Sequence, residues 1–184
     1  MPRTTPLLTA TLLLGACVPA GHLQRARASA PAFDPTVFFA GDTRGVGSLK
    51  VITKARQTVR VTGHGVVQPD GTIVLTQDVR RGNRPVVHRI WRLRPVAPGR
   101  FGGTLTGAIG PVTGDTHGNA LHLSFRLKGG MHAQQWLYLQ PGGQRSRNRM
   151  VITKLGIPVA SLDETITRGT EEPNHRTERV AVTW

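Results

Sequence analysis

The sequence predicts an all-β fold, an antiparallel sandwich or barrel of about eight to ten short strands. Three observations lead there. No window carries a helical apolar period of ten or more residues. Turn signals built on Gly, Pro, Asn and Asp recur at roughly ten-residue spacing, with alternating apolar and polar residues between them. The chain also holds 22 glycines, ~12% against a usual ~7%, as strongly bent strands require.

The chain opens with Met1 to Thr5, whose only charge is Arg3, followed by the apolar run Leu7 to Leu14. That run is far short of the ~20 residues that span a bilayer and suits an export signal. Leu14-Gly15-Ala16-Cys17 contains the only cysteine and resembles the bacterial lipobox, whose cysteine is acylated before the chain is cut in front of it. A lone cysteine serves no disulfide within the chain. The other readings are an ordinary secretory signal and a buried core thiol. On the lipobox reading, residues 1–16 are the signal peptide and Cys17 begins the mature protein. Val18 rather than aspartate follows it, which under the usual lipoprotein sorting rule implies delivery to the outer membrane, on its periplasmic face. Residues 17–32, rich in Ala, Pro, Gly and Arg, read as a tether that reaches ~20 Å on average.

The folded part is expected over residues 33–168. Phe33 to Gly41 places three phenylalanines in seven residues, so it is expected to plug or cap an edge of the core. Ser48 to Thr53 reads as the first strand, after Gly45 and Gly47. Gln57 to Val67 and Thr72 to Val79 form a hairpin about Pro69-Asp70-Gly71. Val86 to Leu93 puts Val87, Arg89, Trp91 and Leu93 on one face. Arg100 to Ile109 is glycine-rich and reads as one sharply bent strand. Gly114 to Asn119 reads as a turn. Ala120 to Lys128 alternates Leu121, Leu123, Phe125 and Leu127 with His122, Ser124, Arg126 and Lys128. Gly129-Gly130 leads into Met131 to Gln140, and Gly142-Gly143 into Arg147 to Leu155. Ile157 to Thr167 supplies one more strand, and residues 169–184 are a polar tail or a late strand.

The whole chain carries a formal charge of +14, and removal of residues 1–16 takes away only Arg3. So basic a chain attracts anionic partners. Export argues against nucleic acid, which is the usual reading of such charge; anionic envelope lipids are the available polyanions. The alternative is that the arginines only solvate outer strand faces and loops.

Several ordered motifs together resemble an uncharacterised family of bacterial lipoproteins, the "domain of unknown function 3833" family. They include Phe38-Phe39-Ala40-Gly41, Arg89 with Trp91, Gly99-Arg100-Phe101-Gly102-Gly103, Gly110-Pro111-Val112-Thr113-Gly114, Trp136-Leu137-Tyr138-Leu139, Asn148-Arg149 and Lys154-Leu155-Gly156. The resemblance runs from about Phe33 to Arg168. It implies an up-and-down, lipocalin-type (calycin-like) barrel and, through gene neighbours of the cyclopropane-synthase kind, a role near lipids. It implies no established activity. Family members usually carry acids just before the aromatic segment, where this chain has Gln134 and Gln135.

No chemistry motif stands out. The seven histidines are scattered with no metal-ligand spacing, and His117 and His122 bracket a turn. No nucleophile elbow and no cofactor-binding loop is present, so no cofactor is expected. Asp42-Thr43-Arg44-Gly45 and Asp115-Thr116-His117-Gly118 read as paired turns with Asp as acceptor. The candidate ligand-binding residues are Arg89, Trp91, Trp136, Tyr138, Asn148 and Arg149. An inward Arg89 needs a partner, either a ligand carboxylate or phosphate or backbone carbonyls of a barrel floor beneath a stacked Trp91. Either the pair Trp136 and Tyr138 or the pair Leu137 and Leu139 faces inward, and at most one of Asn148 and Arg149. Three functions compete. One is a lipid-anchored envelope protein that binds or carries a lipid or other apolar anionic ligand. The others are an accessory enzyme of envelope lipid modification and a structural protein with a basic membrane-facing surface.

Overall fold

The computed structural model describes residues 31–169. Ten strands follow one another around a single closed antiparallel barrel. They are β1 (Gly41–Val51), β2 (Gln57–Val67), β3 (Ile73–Arg81), β4 (Val87–Ala97), β5 (Arg100–Leu105), β6 (Ala108–His117), β7 (Ala120–Leu127), β8 (Met131–Leu139), β9 (Arg145–Lys154) and β10 (Ile157–Arg168). β10 returns to β1 in continuous register from Thr43↔Arg168 to Val51↔Ala160. That pairing decides for a barrel over a sandwich and leaves no strand edge unpaired.

Alternation explains most of the walls. In β7, Leu121, Leu123 and Phe125 are buried while Arg126 is exposed, as the two-residue period of a strand requires. Because successive strands reverse direction, the turns collect at two poles. The pole holding the start of β1 is closed. Asp34 caps the short helix α1 (Pro35–Phe38), accepting the Thr36 amide at 2.8 Å, and Pro35 takes the first helical position. Phe33 donates its amide to Gly118 O at 2.8 Å, which fastens the segment to the β6–β7 turn. The rings of Phe33 and Phe38 lie 5.2 Å apart and those of Phe38 and Phe39 5.0 Å apart. All three are buried, as the plug reading of Phe33 to Gly41 expects. Gly65 makes the fit possible, because a Cβ there would run into the Phe39 carbonyl.

Three local expectations change. β1 begins at Gly41 rather than Ser48: Gly45 and Gly47 are strand residues, bare because a Cβ would run into the Glu164 carboxyl at Gly45 and into the Asp163 carbonyl and Glu164 Cβ at Gly47. Arg100 to Ile109 is two strands, β5 and β6, joined at Thr106-Gly107 with Gly107 at φ 87°. β6 then runs on to His117, with a register shift between Ile109 and Thr113 around Pro111, which has no amide to give the ladder. The turn there is therefore confined to Gly118-Asn119.

Cys17, most of the expected tether and the tail beyond residue 169 lie outside the described residues.

Candidate functional site

Above the plug the barrel is hollow. A cavity of about 420 Å³ runs from Phe39 and Ile73 to Ile52, Arg81, Met131 and Lys154 at the opposite pole, within the ~300–1,000 Å³ common for small-ligand sites. The packing is lopsided. Inward residues of β5 to β8, such as Leu105, Val112, Leu121 and Leu137, belong to the solid core with the plug. Toward the open pole, Leu49, Val59, Val79 and Leu162 form a second cluster on β1, β2, β3 and β10. Those four, with Leu75, Phe125 and Met150, give the cavity an apolar wall.

Five polar side chains break that wall at mid-depth: Gln77, Arg89, Gln135, Asn148 and Glu164. Arg89 lies opposite Gln77 across β3 and β4. The Trp91 indole donates to Gln77 Oε1 at 2.9 Å, and its ring meets Phe125 edge-on at 5.5 Å. Trp91 is thus held by the wall rather than by Arg89. Among the described residues the Arg89 guanidinium makes no ion pair and no bond to a backbone carbonyl, so the floor-clamp reading does not describe it.

Glu164 is the group that faces Arg89's charge. It sits opposite Asn148 on β9, whose Nδ2 donates to Glu164 Oε2 at 2.8 Å. Glu164 Oε1 and Asn148 Oδ1 have no hydrogen-bond partner among the described residues. Burial pushes the Glu164 carboxyl above its usual range, against the opposing pull of the Asn148 hydrogen bond and the Arg89 charge. For Arg89, burial holds the pKa below its ordinary value, helped by the like charge of Arg81 and opposed by Glu164. Burial thus works against the charge of the very carboxyl that faces Arg89. The lumen keeps an arginine without a close counter-ion, and Arg81 and Lys154 add positive charge at the mouth.

The candidate residues divide. Arg89, Trp91 and Asn148 line the cavity. Trp136, Tyr138 and Arg149 lie on the outer face. Trp136 stacks on His122 at 5.1 Å and 16°, Leu137 and Leu139 take the inward positions, and Arg149 stands 3.9 Å from Asp163. Asn148 and Arg149 do point to opposite faces. Glu164 and Gln77 are lining residues that no sequence motif marks, and Gln135, which stands where the family resemblance implies an acid, lines the cavity as well. The signal for Glu164 was its phase, two residues from both Leu162 and Ile166.

The expected turn roles of Asp42 and Asp115 are also corrected. Both are strand residues on the outer wall. Asp42 accepts from His64 directly across the β1–β2 ladder at 2.7 Å, and Asp115 lies 3.2 Å from His122 and 3.3 Å from His117. His88 and Asp78 repeat the arrangement at 2.6 Å. Among the described residues no group of three or more His, Cys, Asp or Glu is arranged to hold a metal ion.

Comparison with known proteins agrees on family and fold. The family described as a protein of unknown function (DUF3833) matches residues 11–168, and the chain belongs to it. No curated protein matches the sequence. Among solved structures, the S-type phycobiliprotein lyase CPES from Guillardia theta superposes with a TM-score of 0.59 at 11% identity, covering 84% of this chain and 100% of that one. Rv2717c from M. tuberculosis gives 0.58 at 14% identity, covering 75% and 99%. A DUF3598-family protein of unknown function from Nostoc punctiforme gives 0.54 at 13% identity, covering 76% and 50%. At such identities the likeness is one of fold, a lipocalin-like barrel.

Proposed function

We propose that this DUF3833 chain is an exported protein, anchored in the bacterial envelope through acylated Cys17. Its barrel binds a lipid or fatty-acid-like ligand with an anionic end. The observation that carries the reading is the Arg89 charge, which makes no ion pair among the described residues and lines a cavity whose wall is mostly apolar. A bare charge in such a wall is unfavourable; a ligand carboxylate or phosphate would pair with it while its hydrocarbon covers Val59, Leu75, Met150 and Leu162. The anchor fits the same arrangement. The N-terminal segment joins the barrel at the closed pole, through Phe33 and Gly118, so a tether there leaves the mouth free.

One preparation tests both parts. The chain is extracted from its host's membranes and weighed intact, denatured and native. The expected denatured mass is that of a chain starting at Cys17 with acyl groups attached, and the native mass adds an apolar acid. An unmodified terminus would overturn the anchor. A native mass with no adduct, in protein that also takes up no added fatty acid, would overturn the ligand.

A further inference from the structure

The open pole differs from the rest of the surface in two independent ways, apolar exposure and charge. Leu155 is 90% exposed, Ile52 64% and Ile157 63%. They are neighbours: Leu155 and Ile157 flank Gly156 at the β9–β10 turn, and the Ile52 amide donates to Val159 O at 3.0 Å. Leu155 is out of place by the rules of its own turn. It and Gly156 form a two-residue hairpin loop with φ at 51° and 80°, a conformation that favours Asn-Gly or Asp-Gly. Leu155 is the only non-glycine with positive φ among the described residues. The fold gains nothing from a leucine there, since its side chain packs on nothing.

Charge separates this pole from the other. Lys50, Lys54, Arg56, Arg84, Lys128 and Lys154 stand in or beside its turns, and none of the five turns holds an Asp or Glu. Exposed valines occur at the closed pole as well, namely Val37, Val66 and Val96, but there Asp34, Asp42, Asp70 and Asp115 share the surface. Among the described residues, only the open pole combines apolar tips with unrelieved positive charge, and the cavity reaches out to Ile52 and Lys154 there.

We propose that the open pole is a docking surface for an anionic lipid bilayer, with Ile52, Leu155 and Ile157 entering the headgroup region beneath a basic collar. Apolar side chains that insert and lysines or arginines that meet anionic headgroups are the two components of interfacial binding. A second copy of the same pole would meet like charge, so self-association does not satisfy it. Docked in this way, the mouth opens onto the bilayer, and an apolar ligand passes between lipid and cavity without crossing water. The inference goes beyond ligand binding, because docking and cavity filling are separate measurements.

The test uses the full chain carrying Cys17→Ser, so that no acyl chain is attached. Vesicles are phosphatidylcholine alone or phosphatidylcholine with phosphatidylglycerol. One variant adds Leu155→Asn and Ile157→Thr, neither of which lines the cavity; the asparagine suits the turn and keeps the fold. A control adds Val37→Ser, Val66→Thr and Val96→Thr at the closed pole. Uptake of N-phenyl-1-naphthylamine without vesicles reports the cavity. The parent and the closed-pole control are expected to bind phosphatidylglycerol vesicles at least tenfold more tightly than neutral ones, less so as salt rises. The open-pole variant is expected to lose about tenfold or more while retaining dye uptake. Equal binding by parent and open-pole variant, equal loss in both variants, or indifference to phosphatidylglycerol would overturn the docking surface. The first points instead to the shared N-terminal segment and the second to a diffuse surface effect. Docking as expected in a chain that takes up no dye would leave this proposal standing and remove the ligand-binding one.

Discussion

The two poles of this barrel are built on opposite principles. The closed pole is a packed plug: three phenylalanine rings within about 6 Å of one another, a capped helical turn, and bare glycine backbone that lets the segment press against β2. The open pole keeps its inner wall apolar yet unfilled, places polar groups at mid-depth and exposes large hydrophobic residues at its rim. Stability is concentrated at one end so that the other can leave space and an arginine charge unsatisfied. The difference teaches that the barrel is one fold with two purposes, which substitutions should separate.

The largest effect is expected at the plug. Phe38 is among the largest fully buried side chains, and Phe38→Ala should destabilise the barrel by about 3–5 kcal/mol, read as a lower denaturant midpoint. Leu155→Asn at the open rim should stay within about 0.5 kcal/mol of the parent. Equal losses at the two ends would erase the contrast. Next in size is Gly65→Ala. The added methyl meets the Phe39 backbone carbonyl, which has no rotamer to yield, so about 1–3 kcal/mol should be lost. An unchanged melting temperature would show that the plug is looser than its geometry implies.

A smaller effect, set by pH, belongs to Glu164. Its carboxyl is held above the ordinary value of 4.5, chiefly by burial. Below that value folded and unfolded chains are both protonated, and burial of the acid carries no ionisation penalty. As pH rises past it, the unfolded chain ionises first, so the native state loses stability until the folded carboxyl titrates too. Glu164→Gln, which can still accept from Asn148, removes that loss. The melting temperatures of variant and parent should lie close near pH 4 and separate in the variant's favour toward pH 8. A gap that is constant with pH would contradict the burial of an acid.

The same contrast governs what the sequence reveals. Walls and plug were legible because they obey local rules: β7 alternates, Gly129-Gly130 and Gly142-Gly143 mark hairpins, and three phenylalanines cannot stay in water. The lumen was legible only in part. Alternation puts Arg89 and Trp91 on one face with Val87 and Leu93, but only the closed barrel shows that this face carries them into the cavity. Trp136 and Tyr138 alternate with Leu137 and Leu139, two apolar pairs whose sidedness alternation alone does not decide; in the fold the leucines are buried and Trp136 covers the outer wall against His122. Glu164 escaped notice because a charged residue reads as solvated until its strand phase is set beside Gly45 and Gly47, whose missing side chains make its room. That match between β1 and β10 joins residues at the two ends of the barrel sequence, and no local pattern carries it. The β5–β6 turn escaped for a related reason, since glycine-rich chain reads equally as a bend or as a hairpin.

The central claim is that Arg89 receives the anionic end of an apolar ligand. Its most direct test is a fluorescence titration of parent and Arg89→Gln chains with cis-parinaric acid and with its methyl ester, which share a tail and differ only in charge. The parent should bind the acid saturably and about tenfold or more tightly than the ester, as a charge-assisted pair requires. Arg89→Gln should bind both alike, at the ester's affinity. An acid and ester that bind the parent equally, or an acid preference that survives the loss of Arg89, would contradict the account.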